Sequence, residues 1–266
     1  MTNKPYYFME SPDERERLER KTKTDFAQKQ LQWAGLKRNM KALEVGCGTG
    51  AVTRVISEMS EGSLVVGVDA SLDRVIDGKQ LAYDSSIAAK FVQGNALRLP
   101  FDSGSFDFSW SRFLFEYLSE PIKALKEMIR VTKPGGIVAV SDLDGQIEQF
   151  YPLSEWSATN LKKALEILAQ TGFDIKIGRK LYNWFFHAEL QEIKVEVAPY
   201  QAYAGGIPDD QWHNWETKIR TSVQALTQLT GEEEHWKKVG ETVLNEIRRK
   251  DVFYYCDIIT VSGRVL

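Results

Sequence analysis

The chain has 266 residues, 43% hydrophobic and 27% charged, a composition typical of a globular protein with one large domain or a core plus an inserted subdomain. Its net charge of −3 gives no indication of a basic surface that would bind nucleic acid. No apolar run reaches the roughly 18–20 residues of a membrane span. Two cysteines and three histidines predict neither a disulfide framework nor a metal site, so a reducing cytoplasm is the expected compartment.

Residues 1–40 are predicted to form an N-terminal helical lid. A run of aromatic residues at 6–8 precedes a helix start at 11–14, where serine, proline and glutamate stand in capping positions. The charged helix that follows is expected to reach about Trp33, and Gly35 is its predicted stop. The aromatic run is either a flap over a bound ligand or a frayed end.

Residues 41–266 are predicted to form an α/β core. Strand-length apolar runs alternate with amphipathic helices, which implies parallel strands with helices on both faces of a sheet. Five strands are predicted first, at 42–45, 64–68, 89–93, 106–111 and 137–141. The helices between them are predicted at 51–59, 72–82 and 121–131.

The pattern changes after residue 141. Residues 193–200 alternate between apolar and polar side chains, as in a half-exposed edge strand, and 252–261 read as an interior strand. Four helices are predicted around these strands, at 153–169, 179–190, 209–229 and 232–249. Their number exceeds what the core needs, so elements within about 145–190 and 201–249 are predicted to cap the carboxyl edge of the sheet.

The most informative stretch is KALEVGCGTG, residues 41–50, with Asp69 at the end of the next predicted strand. Gly46, Gly48 and Gly50 allow a tight turn with bare backbone against which a ligand can lie. Glu44 would repel a pyrophosphate but suits an ammonium group, and Asp69 can accept hydrogen bonds from a ribose. This G-x-G-x-G spacing differs from the G-x-G-x-x-G of dinucleotide folds, and the pattern predicts another adenosine-bearing cofactor.

These features resemble the first motif of the class I S-adenosylmethionine-dependent methyltransferases, nearest the ubiquinone and menaquinone C-methyltransferases and related small-molecule enzymes. The resemblance is close over 41–144, where Leu-Pro-Phe at 99–101 and Phe-Asp at 106–107 also match the family. It implies a Rossmann-like, seven-stranded, mostly parallel sheet, S-adenosylmethionine as cofactor, and methyl transfer to a small organic acceptor.

The resemblance also implies a set of cofactor contacts. Glu44 would hold the methionine ammonium and Asp69 the ribose. Asn95 stands where the family usually has Asp, and its amide oxygen would accept from the adenine amine. Ala70 and Arg74 would line the adenine, although an arginine there is unusual for the family. The predicted contacts are Tyr7, Glu44, Gly46, Cys47, Gly48, Gly50, Asp69, Ala70, Arg74, Asn95, Ala96 and Arg112.

The residues that carry out the chemistry are less well indicated. Asp144 after the fifth strand and Arg179 are the catalytic candidates, with a loop carboxylate and a helix-stabilising arginine as the alternatives. Arg112 is either a contact to cofactor and acceptor or a buried ion-pair arginine. The acceptor atom and the oligomeric state are left open. Two rival functions are a catalytically silent cofactor-binding protein and an NAD-dependent dehydrogenase, the latter disfavoured by Glu44 and the glycine spacing.

Overall fold

Eight strands form one mixed sheet in the computed structural model, which describes Met9 and residues 14–266. The strands in this part of the chain are β1 Ala42–Val45, β2 Val65–Asp69, β3 Lys90–Gln93, β4 Phe106–Arg112, β5 Thr132–Asp144, β6 Phe150–Tyr151, β7 Gln191–Ala204 and β8 Phe253–Arg264. Their order is β3-β2-β1-β4-β5-β8, with β7 paired along β8 at the edge and β6 paired to the start of β8.

The predicted Rossmann-like α/β sheet is confirmed, with differences in the length and number of its strands. Strands β1 to β5 are parallel, and β8 runs antiparallel to β5 and β7. The two-residue strand β6 is an addition to the seven predicted strands. Strand β5 begins five residues before the predicted 137, because Thr132 pairs with Phe106 at the start of β4.

Nine helices occur in the described residues. They are α1 Glu14–Lys21, α2 Thr24–Ala34, α3 Ala51–Ser60, α4 Leu72–Asp84, α5 Pro121–Val131, α6 Glu155–Ala169, α7 Gly178–His187, α8 Asp209–Thr230 and α9 Glu233–Ile247. The prediction of a single N-terminal helix to Trp33 is wrong, because Lys23 has extended backbone angles and α2 begins anew after it. Gly35 ends α2 at φ 105°, as predicted, and the predicted start at 11–13 lies outside the described residues.

The helices cover both faces of the sheet. Helices α2 and α3 pack on one face, where Leu31 and Ile56 meet Trp110. Helices α5 and α7 pack on the other face, where Leu125 and Phe185 share a core with the apolar side chains of β1, β2 and β5. Helix α7 is therefore part of the sheet's covering layer. No helix of the described chain has the length and apolar character to cross a membrane.

Helices α6, α8 and α9 form a separate apolar cluster, which we call the cap. Trp215 and Trp236 are buried at its centre. Phe150 and Tyr254 join it to the sheet, with ring centroids 4.2 Å apart and stacked planes. Leu143, near the end of β5, belongs to the same cluster. The cap thus adjoins the carboxyl edge of the sheet, the edge at which ligands bind in open α/β folds.

Candidate functional site

The turn between β1 and α3 is built on three glycines with left-handed backbone angles. Gly46, Gly48 and Gly50 have φ of 76°, 52° and 75°, which other residues adopt only with strain. A Cβ atom on Gly46 would lie 2.8 Å from the Leu114 side chain, and one on Gly50 would lie 2.2 Å from the Phe91 ring. The turn therefore requires glycine for both its shape and its packing, and it presents backbone at the carboxyl edge.

Glu44 lies in β1 directly before this turn and is buried. The Thr53 hydroxyl donates a hydrogen bond to its carboxylate. Burial raises the pKa of Glu44 to about 8, against the opposing influences of that hydrogen bond and of the positive charge on Arg112. The carboxyl group is therefore largely neutral at pH 7, and a cation placed beside it would favour its ionised form.

Cys47, within the glycine turn, has a buried side chain. It packs in a small apolar cluster with Val75 of α4 and Phe91 of β3. Burial raises the pKa of the thiol well above its ordinary value, which makes it a poor nucleophile. The part of Cys47 that remains available to a ligand is its backbone within the turn.

Asp69 ends β2 beside the glycine turn, where the sequence predicts it. One carboxylate oxygen accepts from the Gly48 amide (2.8 Å) and the other from the Ser71 amide (2.9 Å). Burial raises the pKa of Asp69, and these two amides act in the opposite direction. Because each carboxylate oxygen has a second lone pair, Asp69 can accept ligand hydroxyls while it holds the turn.

The predicted adenine contacts follow β2 and β3. Ala70 is exposed, and Ala96 is half-buried. Asn95 is also half-buried, and its side-chain oxygen accepts from the Leu97 amide at 2.9 Å. That oxygen has one lone pair left for a ligand amine. The structure brings these residues to the same edge as Asp69, since β2 and β3 are parallel neighbours.

Arg74, in the first turn of α4, is held by a carboxylate. Its guanidinium lies 3.0 Å from the Asp77 carboxylate. Arg15 of α1 approaches the same carboxylate at 3.3 Å. The arginine that is unusual for the family thus takes part in a link between α4 and the N-terminal helix.

Helix α1 lies against the glycine turn. A Cβ atom on Gly48 would be 3.0 Å from the Leu18 side chain. Glu19 accepts hydrogen bonds from the Thr49 hydroxyl (2.6 Å) and from Arg54 (2.5 Å). This helix therefore covers the turn from the side opposite the sheet. Tyr7 and the rest of the predicted flap at 6–8 lie outside the described residues.

Arg112 ends β4 and is buried in a cage of aromatic rings. Its Cζ atom lies 4.5 Å from the ring centroid of Phe113, 5.5 Å from that of Phe26 and 5.9 Å from that of Tyr200. Burial lowers the pKa of Arg112, and attraction to Tyr200, Glu44 and other acidic groups opposes this shift. The side chain is thus a caged cation between the glycine turn and β7.

The two catalytic candidates from the sequence bind one another. Arg179 donates from Nε to one Asp144 oxygen at 2.8 Å and from Nη2 to the other at 2.9 Å. The Arg179 side chain is 55% exposed, whereas that of Asp144 is 16% exposed. This bidentate pair ties α7 to the end of β5, which is the arrangement expected of a structural ion pair.

The cap holds an apolar pocket with a cavity volume of about 80 Å³. Tyr117, after β4, and Gln146, after β5, line the end that adjoins the sheet. Lys218 of α8 is the one charged side chain among the described residues that line it. The remaining wall is mainly aliphatic and aromatic, including Leu161, Ile219, Trp236 and Val243. Such a pocket suits an apolar small molecule with one polar end.

A cluster of ionisable groups lies beside this pocket, and sequence reasoning missed it. Its central member, Glu116, follows β4 and is only 3% exposed. Lys21 and Arg17 of α1 and Lys218 of α8 all attract its carboxylate. These groups come from three segments far apart in the chain, so no local motif indicates them.

A family model described as a methyltransferase domain matches residues 43–140. A Synechocystis protein named 2-methyl-6-phytyl-1,4-hydroquinone methyltransferase is 31% identical over 155 residues, which cover 57% of this chain and 48% of that protein. The match thus spans about half the length of this relative. A Staphylococcus aureus (strain Newman) demethylmenaquinone methyltransferase is 39% identical over 186 residues, covering 65% of this chain and 75% of that protein.

The fold also occurs among solved structures. A Bacillus halodurans crystal structure described as a methyltransferase superposes with a TM-score of 0.60 and 18% identity. The superposition covers 91% of this chain and 100% of that one. At this level of identity the likeness concerns the fold alone, and it extends over the cap as well as the sheet.

Proposed function

The chain belongs to the class I S-adenosylmethionine-dependent methyltransferases, close to the quinone C-methyltransferases, and from this membership we propose that it methylates a hydroxylated aromatic ring that carries an apolar substituent. S-adenosylmethionine is accordingly its cofactor, as the sequence predicts. The dehydrogenase and the catalytically silent protein are not favoured.

The residues of the glycine turn fit this cofactor. Gly46 and Gly50 keep open a backbone surface that Cβ atoms would fill. In the proposal Glu44 holds the methionine ammonium, which would ionise a carboxyl group that burial otherwise keeps neutral near pH 7. Asp69 holds the ribose hydroxyls. When bound, the cofactor supplies a methyl group already activated by its sulfonium, so the protein's tasks are alignment and the exclusion of water.

The apolar pocket of the cap is the observation that carries the choice of acceptor. Its lining includes Tyr117, which follows β4, and Gln146, which follows β5. The two relatives are named for a phytyl hydroquinone and for demethylmenaquinone. An acceptor of this kind would place its substituent among the helices of the cap and its ring at the polar end.

The same arrangement argues against a macromolecular acceptor. The lining of the pocket is mainly apolar, and the chain has a net charge of −3, so nucleic acid is not proposed as a substrate. We further propose that the N-terminal segment closes over the site, since α1 already contacts the glycine turn. The cytoplasm is the proposed compartment, because Cys47 and Cys256 are free thiols in the structure.

Mass spectrometry of reaction products tests this function. The protein is incubated with methyl-labelled S-adenosylmethionine and either reduced prenylated quinones or small polar amines. We expect label in the quinols and none in the amines. Methylation of the amines alone would contradict the proposal.

A pocket-filling variant makes the test specific to the cap. Ser222 lines the pocket, so Ser222→Trp should occupy it and reduce quinol turnover at least 10-fold. Gln224→Trp is the matched control, because Gln224 is exposed on the same helix. Equal losses in the two variants would show that the pocket does not hold the acceptor.

A further inference from the structure

We propose that Glu116 and Lys218 act together on a hydroxyl group of the acceptor, with Glu116 taking its proton and Lys218 stabilising the oxygen anion that remains. The O–H bond of the acceptor breaks, a new O–H bond forms on the Glu116 carboxylate, and the electron pair stays on the acceptor oxygen. No further reactant is required. This inference rests on the proposed function, because it assumes that the acceptor binds in the cap pocket.

Glu116 is positioned like a general base with a free acceptor atom. Its Oε2 atom is buried and makes no hydrogen bond within the described part of the chain. Its backbone amide donates to Asp142 at 3.2 Å, and Asp142 also accepts from the Leu143 amide at 2.9 Å. Asp142, fully buried at the end of β5, therefore anchors the segment that carries Glu116. An unpaired buried carboxylate oxygen is costly unless a ligand satisfies it.

Lys218 supplies the positive charge at the polar end of the pocket. It lines the pocket together with Tyr117, the neighbour of Glu116 in the chain. Its ammonium lies 5.0 Å from the ring centroid of Trp215, which holds the side chain across the pocket wall. The Gln146 amide, also in the lining, has a nitrogen without a hydrogen-bond partner among the described residues. An ammonium and an amide donor thus line the pocket, and the buried Glu116 carboxylate, one residue before Tyr117 in the chain, lies close enough to Lys218 for their charges to attract.

The surrounding charges set the protonation of this pair. Burial lowers the pKa of Lys218 to about 8; Arg17 adds to this shift, while Glu116, Cys256 and Glu14 oppose it. Burial raises the pKa of Glu116, whereas Lys218, Lys21, Arg17 and Tyr117 oppose the shift. A carboxylate with a raised pKa is a stronger base, and an ammonium with a lowered pKa is a better partner for a phenolate.

The charge balance also favours an acceptor that becomes anionic. Glu14 and Arg17 neutralise one another through a buried ion pair with an Nε–Oε2 distance of 2.6 Å. Burial and the nearby Glu116 raise the pKa of Asp142 well above its ordinary value, which keeps it neutral. Burial and the nearby Arg17 lower the pKa of Lys21 well below its ordinary value, so Lys218 is the cation that lines the pocket and faces Glu116 as the remaining carboxylate. Proton transfer to Glu116 leaves the negative charge on the acceptor oxygen, which Lys218 stabilises.

Two variants separate this role from a structural one. Glu116→Gln keeps the shape of the side chain and removes the base, and Lys218→Met keeps the length and removes the charge. Because removing one member of a buried charge cluster leaves the others uncompensated, the melting temperature of each variant is measured first, and both readouts are taken below the unfolding transition of every variant. Glu120→Gln and Lys238→Met are the matched controls. Glu120 is exposed in the same segment, and Lys238 is an exposed cap lysine 5.7 Å from the Trp156 ring centroid.

The first readout does not depend on methyl transfer. 4-Nitrophenol, whose anion absorbs visible light, is titrated with pH in the complex with S-adenosylhomocysteine. We expect the wild-type protein and both controls to lower the pKa of the bound phenol, and Lys218→Met to restore it by about one unit or more. An unchanged phenol pKa in Lys218→Met would overturn the role of the lysine.

The second readout is the turnover of a reduced prenylated quinone as a function of pH. Glu116→Gln should reduce kcat about 100-fold and remove the acidic limb, while the affinity for S-adenosylhomocysteine stays unchanged. A kcat within about threefold of wild type in Glu116→Gln would overturn the role of the base. If the wild-type protein itself methylates no quinol yet still lowers the phenol pKa, the proposed function fails and this pair survives.

Discussion

The cofactor-binding turn and the acceptor pocket of the cap are built in contrasting ways. The turn uses backbone and side chains from one short stretch, residues 44–50, together with Asp69 from the next strand. Lys218 of the pocket lining interacts with the charges of Glu116, about a hundred residues away in the chain, and of Arg17 from the N-terminal helix. A common cofactor is thus recognised by a local motif, whereas the acceptor site depends on tertiary packing.

The strongest test of the local motif is Gly50→Ala. Strain at φ 75° and a Cβ atom 2.2 Å from the Phe91 ring should together cost about 2–6 kcal/mol of unfolding free energy. Denaturant unfolding measures this loss. Gly62→Ala is the control, since Gly62 has φ 77° but open space around it. Equal costs in the two variants would mean that the turn is not packed as described.

Asp69→Ala tests the cofactor role of the acid at the end of β2. The loss of charge-assisted hydrogen bonds should weaken S-adenosylhomocysteine binding by roughly 1.5–3 kcal/mol, about 10- to 100-fold. Calorimetry provides the dissociation constant. The exposed Asp73 in α4 offers a control, since Asp73→Ala should bind as the wild-type protein does. Unchanged affinity in Asp69→Ala would remove this residue from the site.

Glu44 should make the affinity for the cofactor depend on pH. Its pKa in the folded protein is about 8 instead of 4.5, so the folded state favours the protonated carboxyl group. The contribution of this group to the free energy of unfolding is therefore complete below pH 4.5 and is lost as the pH rises through 8. Cofactor binding that requires the carboxylate should therefore strengthen by up to about tenfold per pH unit between roughly pH 6 and 8. Calorimetry across this range should show proton release on binding. The same pH dependence in Glu44→Gln would contradict this role.

The smallest expected effect concerns α1, the helix that contacts the glycine turn. Glu19→Gln weakens the contacts of α1 with Thr49 and Arg54, which should cost about 0.5–1 kcal/mol locally. Hydrogen exchange in α1 should quicken several-fold in the absence of cofactor. Glu16→Gln is the control, because the ion pair of Glu16 with Arg20 is exposed. Equal exchange in both variants would argue against α1 as a cover of the turn.

Much of the fold follows from local sequence. Helix α5 and strand β1 have the predicted limits, because proline, glycine and apolar runs mark their ends. The break between α1 and α2 was not predictable, since Lys23 carries no turn signal and its extended backbone reflects packing on either side. The short strand β6 likewise exists only because Phe150 and Tyr151 meet the start of β8.

The site residues also differ in whether local sequence predicts them. The glycine turn and Asp69 lie together as the motif predicts, and the Cys47 side chain packs in a neighbouring apolar cluster. The sequence could not decide between a ligand contact and an ion pair for Arg112, which the structure places inside a cage of rings. Asp144 and Arg179 remain predictions as catalytic residues, although their mutual ion pair engages both charges. Glu116 and Lys218 become neighbours only through the packing of the cap.

Calorimetry of two ligands on two variants tests most directly whether the cofactor site and the acceptor pocket of the cap are separate. Binding of S-adenosylhomocysteine and of a prenylated quinone is measured for Asp69→Ala and for Ser222→Trp. We predict that Asp69→Ala weakens the first ligand about 10- to 100-fold and leaves the second nearly unchanged, and that Ser222→Trp does the reverse. If Ser222→Trp binds the quinone as tightly as the wild-type protein, the cap is not the acceptor site.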